Sequence, residues 1–179
     1  MRNIIAVSGR PGTGKTTLFR KIIDDSFVKV EPVKSLPCLY SEKLDLYIIG
    51  KYEDGELFAG TDRLSMSIQP TAVEFVNSTK SNILFEGDRL TNGKFYDFLL
   101  TQENCNVEFI VLSAENSTLE SRYSDRGSSQ SDKFLKGRDT KISNILSNLD
   151  YMDYIKEFKN ESLSDQQILL DYIIGKLKI

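Results

Sequence analysis

Residues 9–16 read GRPGTGKT and satisfy the pattern G-x-x-x-x-G-K-[ST] in full. No other stretch constrains the fold as tightly, because each residue type in it answers a physical need. The glycines let consecutive backbone amides turn inward around an anion, and a helix starting directly behind them adds its partial positive end. Lys15 is spaced to reach β- and γ-phosphates, and the Thr16 hydroxyl to ligate Mg²⁺. The flanks agree. "RNIIAVSG" carries consecutive Ile4, Ile5, Ala6 and Val7, the pattern of a strand buried on both faces. Lys15 to Asp25 place Leu18, Phe19, Ile22 and Ile23 on one helical stripe.

The rest of the chain repeats the alternation of strand and helix. "SNILFEGD" and "NVEFIVLSA" read as further central strands, "QPTAVEFVNS", "GKFYDFLLTQEN" and "STLESRYSDRG" as helices. "FVKVEPV" reads as a second strand, and "LPCLY" with "KLDLYIIGKY" as a hairpin or a pair of edge strands. "SSQSDKFLKG" is a polar insertion expected to be mobile. Beyond Asp139 the positions Ile142, Ile145, Leu146, Leu149 and Met152 recur at helical spacing. "YIKEFK" is a last strand, and a helix from an expected Ser164 N-cap closes the chain. The expected fold is therefore α/β: one domain over residues 1–179, a parallel sheet with helices on both faces, a β-hairpin insertion and a mobile lid at about 126–139.

Composition narrows the chemistry. The 179 residues include no histidine, which excludes a His-based triad and argues against a zinc site. Cys38 and Cys105 stand far apart and read as inert thiols of a reducing compartment. A net charge of −3 argues against electrostatic coating of nucleic acid, though not against a local basic site. No apolar run is long enough to span a bilayer, and a strand begins at once, so the expected location is cytoplasmic, without a signal peptide. What remains for catalysis is carboxylates, lysine, arginine and a metal ion, the set that phosphoryl transfer uses. Asn-Lys-x-Asp and Asp-x-x-Gly, which a guanine-specific site would show, are absent, so ATP is the expected donor.

Candidate site residues follow. Gly12, Thr13, Gly14, Lys15, Thr16 and Thr17 form the donor loop. Glu86 and Asp88 end a buried strand where a doubly wound sheet meets its ligand, Glu86 towards Mg²⁺ and Asp88 towards the acceptor, with Arg89 beside them as a substrate-binding residue. Residues 121–141 carry Arg122, Arg126, Lys133, Lys136, Arg138 and Lys141 against three aspartates. Arg126 and Arg138 are the best candidates to close over the transferring group, and Arg122 to hold the nucleotide. In "GTDRLSMSIQP", Asp62 is placed to orient a hydroxyl and Arg63 to hold a phosphate already on the acceptor, with Ser65 and Ser67 as caps of the next helix. Asp62 or Asp88 serves as the orienting base. The sequence carries no signal of oligomeric state.

The Walker-type loop, "EGDR" and an arginine-bearing lid together resemble the nucleoside monophosphate kinase superfamily. More narrowly, "GKYEDGELFAGTDRLSMSIQP", "ILFEGDRLTNGKF" and "FLKGRDTKISNIL" are similar to bacteriophage P-loop kinases, including enzymes that phosphorylate 5-hydroxymethyluracil in phage DNA. That resemblance implies a kinase using ATP and Mg²⁺ on a hydroxyl of a DNA base, in the host bacterial cytoplasm. A competing resemblance, "VEPV" with Glu31 and "FEGDR" with Glu86, is to deoxynucleoside kinases, in which the first acid orients a sugar hydroxyl. A small nucleoside or nucleotide kinase, or an ATP-binding regulatory protein that transfers nothing, uses the same donor loop.

Overall fold

A computed structural model describes residues 1–56, 58–125, 127 and 131–177. The apolar run near the N-terminus forms β1 (Arg2–Gly9), which is hydrogen-bonded along both sides. On one side lies β5 (Asn82–Glu86), on the other β6 (Cys105–Ser113), both parallel to it. Beyond β6, β7 (Ile155–Lys159) adds in parallel. Beyond β5 come β4 (Leu46–Ile49), parallel, then β3 (Cys38–Ser41) and β2 (Phe27–Val30), each antiparallel to its neighbour. The sheet order is β2-β3-β4-β5-β1-β6-β7, a mostly parallel sheet of the expected α/β class.

Alternation along β1 divides the core. Ile5 and Val7 face α1 (Lys15–Ile22) and α6 (Leu163–Leu177), packing with Leu18, Phe19, Leu169 and Ile173. Ile4 and Ala6 face the opposite layer of α2 (Gln69–Ser78) and α3 (Gly93–Leu100), packing with Phe75, Phe95 and Leu99. A strand covered on both faces has no polar side to show, which is why β1 reads as an unbroken apolar run.

Several expectations change. Of the two readings of "LPCLY" and "KLDLYIIGKY", the hairpin holds and the edge pair does not: β3 and β4 pair antiparallel, β4 also pairs with β5, and the short β2, ending at Val30, takes the edge. Glu31 is exposed there, and its carboxylate accepts the Ser35 N–H at 2.7 Å, in line with its being a surface residue. The stretch 132–137, expected as mobile insertion, is the start of α5 (Asp132–Leu146), because the Ser131 hydroxyl accepts the Phe134 N–H and caps it. Residues 126 and 128–130 lie outside the described residues. The helical pattern carried on to Met152 stops at Leu146: Leu149 is 79% and Met152 61% exposed, while a 3₁₀ turn buries Tyr151 instead. The closing helix is capped by Ser162, not Ser164, in a reciprocal box in which Asp165 Oδ2 accepts the Ser162 N–H and Ser162 Oγ the Asp165 N–H. Ser65 and Ser67 bond each other; α2 follows Ile68 with no side-chain cap. Cys38 is buried, its thiol pushed by burial up to about 12, and Cys105 is half-buried; both are free.

Candidate active site

The phosphate loop runs from the end of β1 into α1. Gly14 occupies the helix N-cap position with φ +91°, and a Cβ there would stand 2.4 Å from Asn160 Nδ2. Only glycine allows this approach, since the same amide donates to the Thr13 carbonyl at 2.8 Å. Asn160 follows β7, and its carbonyl accepts Arg122 Nη2 at 2.9 Å, while Nη1 donates to the Gly12 carbonyl at 2.9 Å. Arg122, on α4 (Asn116–Asp125), thus braces the loop from behind. Thr13 is buried, its hydroxyl on the Arg10 carbonyl at 2.8 Å, and Thr17 is exposed in the first turn of α1. Arg122→Ala should weaken nucleotide binding about tenfold and cost about 1–3 kcal/mol of stability, because two carbonyls lose a charged donor. Nucleotide titration and thermal melting of the variant check both.

Lys15 Nζ lies against the loop's own carbonyls, 2.8 Å from Gly9 O and 3.1 Å from Arg10 O. Thr16 Oγ1 donates to Glu86 Oε1 at 2.9 Å, joining the start of α1 to the end of β5. Glu86 is 1% exposed. Burial lifts its carboxyl from the ordinary 4.5 to about 7, against the opposing pull of Lys15 and the Thr16 bond. The loop from Lys51 approaches so closely that a Cβ on Gly60 (φ +68°) would stand 2.9 Å from Glu86 Oε1. A threonine hydroxyl beside a carboxylate is a hard-oxygen pair that fits Mg²⁺, which takes few protein ligands and leaves its other positions to phosphates and water.

Across this pair a cleft of about 360 Å³ opens, lined by Lys15, Thr16, Asp62, Glu86, Asp88 and Arg138 among others. Asp62 sits in a 3₁₀ turn, Thr61–Arg63, and its Oδ1 accepts the Asp88 N–H at 2.6 Å. Asp88 itself is engaged by two cations of α5: Arg138 Nη1 on Oδ2, and Lys141 Nζ 2.7 Å from Oδ1. Arg138 is therefore where the sequence expectation puts it, while Lys141, one turn on along the same helix face, was missed as a site residue. Arg89 lines the cleft, with Nε 3.4 Å from the Leu64 carbonyl. Arg63 departs from expectation: it pairs with Glu56 Oε2 and does not line the cleft, because the 53–56 segment, held by Arg20 through the carbonyls of Glu53 and Glu56, comes within its reach. Arg126 lies outside the described residues. Arg10 was also missed; it ties the phosphate loop to α5 through Asp139 at 2.7 Å.

Residues 1–160 match the family described as P-loop Nucleotide Kinase3. The chain belongs to this family. It is accordingly a P-loop kinase, a phosphotransferase. Two solved structures share its fold: a gluconokinase from Sinorhizobium meliloti 1021 and an unliganded sugar kinase from Janibacter sp. HTCC2649. The first has a TM-score of 0.54 at 14% identity, with 99% of this chain and 97% of that one covered. The second has 0.55 at 15%, with 100% and 96% covered. At such identities the likeness is one of fold. Comparison with curated protein sequences gives no match. Among the described residues of this P-loop kinase, no helix is long and apolar enough to cross a membrane.

Proposed function

We propose that the chain transfers the γ-phosphate of ATP to a hydroxyl carried by a nucleobase in DNA, of the 5-hydroxymethyluracil type, as in phage DNA hypermodification within the host cytoplasm. The observation that carries the hydroxyl-acceptor part of this reading is the division of labour between two aspartates in one cleft; the DNA base is what the resemblance to phage kinases implies. Asp88 is neutralised by Arg138 and Lys141, whereas Asp62 has one oxygen fixed by the Asp88 N–H and lines the same cleft as Lys15 and Glu86. Asp62 is the group placed to orient an attacking hydroxyl and accept its proton. On the donor side the loop amides and Lys15 hold the phosphates, and Thr16 with Glu86 would hold Mg²⁺, which neutralises and orients them when bound. Arg89, which lines the cleft while its Nε bonds the Leu64 carbonyl, holds a phosphate on the acceptor side in this reading, a role expected of both Arg63 and Arg89.

A second reading, phosphorylation of a free nucleoside or nucleotide, is supported by the cleft's volume, which is at the small-molecule scale. Purified protein with γ-labelled ATP and Mg²⁺ separates the two. Offered duplex containing 5-hydroxymethyluracil, unmodified duplex, nucleosides and nucleoside monophosphates, it should label only the first. Label on nucleosides or monophosphates alone moves the assignment to the second reading. Nucleotide bound without transfer to any acceptor makes the chain an ATP-binding regulatory protein. With the true acceptor, Asp62→Asn should lower kcat about 10²-fold or more and leave ATP binding within twofold, since Asn keeps the acceptor atom for the Asp88 N–H but not the base. An unchanged kcat removes Asp62 from the mechanism.

A further inference from the structure

Two phenyl rings line the cleft while much of each remains open to solvent: Phe58 is 58% and Phe134 40% exposed. They come from separate segments, Phe58 just before the Gly60 approach to Glu86 and Phe134 from the first turn of α5. Neither belongs to the hydrophobic core. Phe134 is tied to the reacting groups, because the Arg138 guanidinium lies 4.5 Å over its ring while bonding Asp88. At the opposite extreme of polarity, the buried hydroxyls of Ser8 and Thr91 also line the cleft. They donate to the carbonyls of Ile110 (3.3 Å) and Gly87 (2.7 Å) and keep lone pairs to offer. The fully buried Tyr96 phenol stands behind both.

Flat apolar surfaces together with a small cluster of hydroxyls suit a ligand with apolar faces and a polar edge. That is the chemistry of a nucleobase. Size adds a condition: about 360 Å³, shared with the donor phosphates at Lys15 and Thr16, admits a single base and no duplex, and the attacking hydroxyl must reach the phosphate loop beside Asp62. We propose that the acceptor base leaves its helical stack and enters this cleft alone, its faces covered by Phe58 and Phe134 and its edge met by Ser8 and Thr91. The inference rests on the base-hydroxyl reading above and adds how the base is presented and which residues select it. Enzymes acting on a base within DNA commonly take it out of the stack, and aromatic side chains hold it by its π-faces.

The test uses the full chain and a duplex with one 5-hydroxymethyluracil flanked on its 3′ side by 2-aminopurine. Binding should brighten 2-aminopurine severalfold as its stacked neighbour leaves; unchanged emission from fully bound duplex overturns the inference. In steady-state transfer, Phe58→Leu and Phe134→Leu should each raise the duplex KM about tenfold and leave the ATP KM unchanged, because leucine keeps volume but not a flat face. Phe58→Tyr and Phe134→Tyr should restore it. A duplex KM indifferent to leucine, or an ATP KM that rises in step, assigns the rings elsewhere and overturns the inference while the function stands. Absence of transfer to this duplex by the wild type, with ATP bound, overturns the base-hydroxyl reading itself and this inference with it.

Discussion

Lys15→Ala should lower phosphoryl transfer by about 10²–10³-fold, with the chain still folded. In the reaction negative charge spreads over the moving group, and a fixed cation in a water-poor cleft is worth far more there than in solution. The neighbouring cations do not replace it: Arg122, on α4, is spent on the carbonyls of Gly12 and Asn160, and Arg10, in the loop, on Asp139 and Asn116. The ammonium is also a cation pulling the Glu86 carboxyl down, so its removal makes that buried acid harder to ionise and compounds the loss. Lys15→Arg should not rescue, because a planar guanidinium does not fit a site shaped for a compact ammonium. The fold should survive, since the bonds of Lys15 to Gly9 and Arg10 lie within the loop itself. Single-turnover rates with the labelled acceptor, beside melting curves, decide it; a rate within fivefold of wild type would overturn the donor-site assignment.

What could be read in advance depended on how local the causes were. The phosphate loop, β1 and α1 are legible because the motif and both apolar patterns are contiguous in sequence. β5 and β6 are legible because strands covered on both faces leave apolar runs. The order of strands is not: that β4 lies inside the sheet depends on pairing Leu46–Ile49 with residues near 83, which no local pattern announces. The second half of α5 is legible in the helical spacing beyond Asp139, but its first turns hid for the opposite reason: residues 132–137 bury no side chain fully, and the start is marked by Ser131 in a run of polar residues. In the site, Asp62 and Asp88 were equivalent candidates in sequence and are separated only by Arg138 and Lys141, one turn apart on a helix about 50 residues away in the chain. Arg63 was misjudged because its partner Glu56 sits in a segment with no pattern of its own. Lys141 carried a readable signal, the three-residue spacing from Arg138 that puts both on one helix face.

Glu86→Gln should have two effects of opposite sign. The wild-type carboxyl, lifted by burial to about 7, binds its proton more tightly in the folded chain than in the unfolded one, where 4.5 applies. Its favourable contribution is therefore complete below about pH 4.5 and is lost as pH rises through 7, a change of about 3 kcal/mol by pH 8. Glutamine is neutral throughout and keeps an oxygen to accept from Thr16 Oγ1. Without nucleotide or metal, the variant should melt with wild type near pH 5 and several degrees above it at pH 8, at about 2–4 °C per kcal/mol. Phosphoryl transfer should fall about 10²-fold or more, because the anionic oxygen beside Thr16 that fits Mg²⁺ is gone. A glutamate kept for packing alone would show no loss of turnover, and one kept for a stabilising ion pair would lose stability at pH 8. Melting at the two pH values and Mg²⁺-dependent turnover of the same preparation distinguish these cases. A variant that gains stability at pH 8 while losing turnover identifies Glu86 as a charge held in the core at a cost in stability for the sake of the metal site.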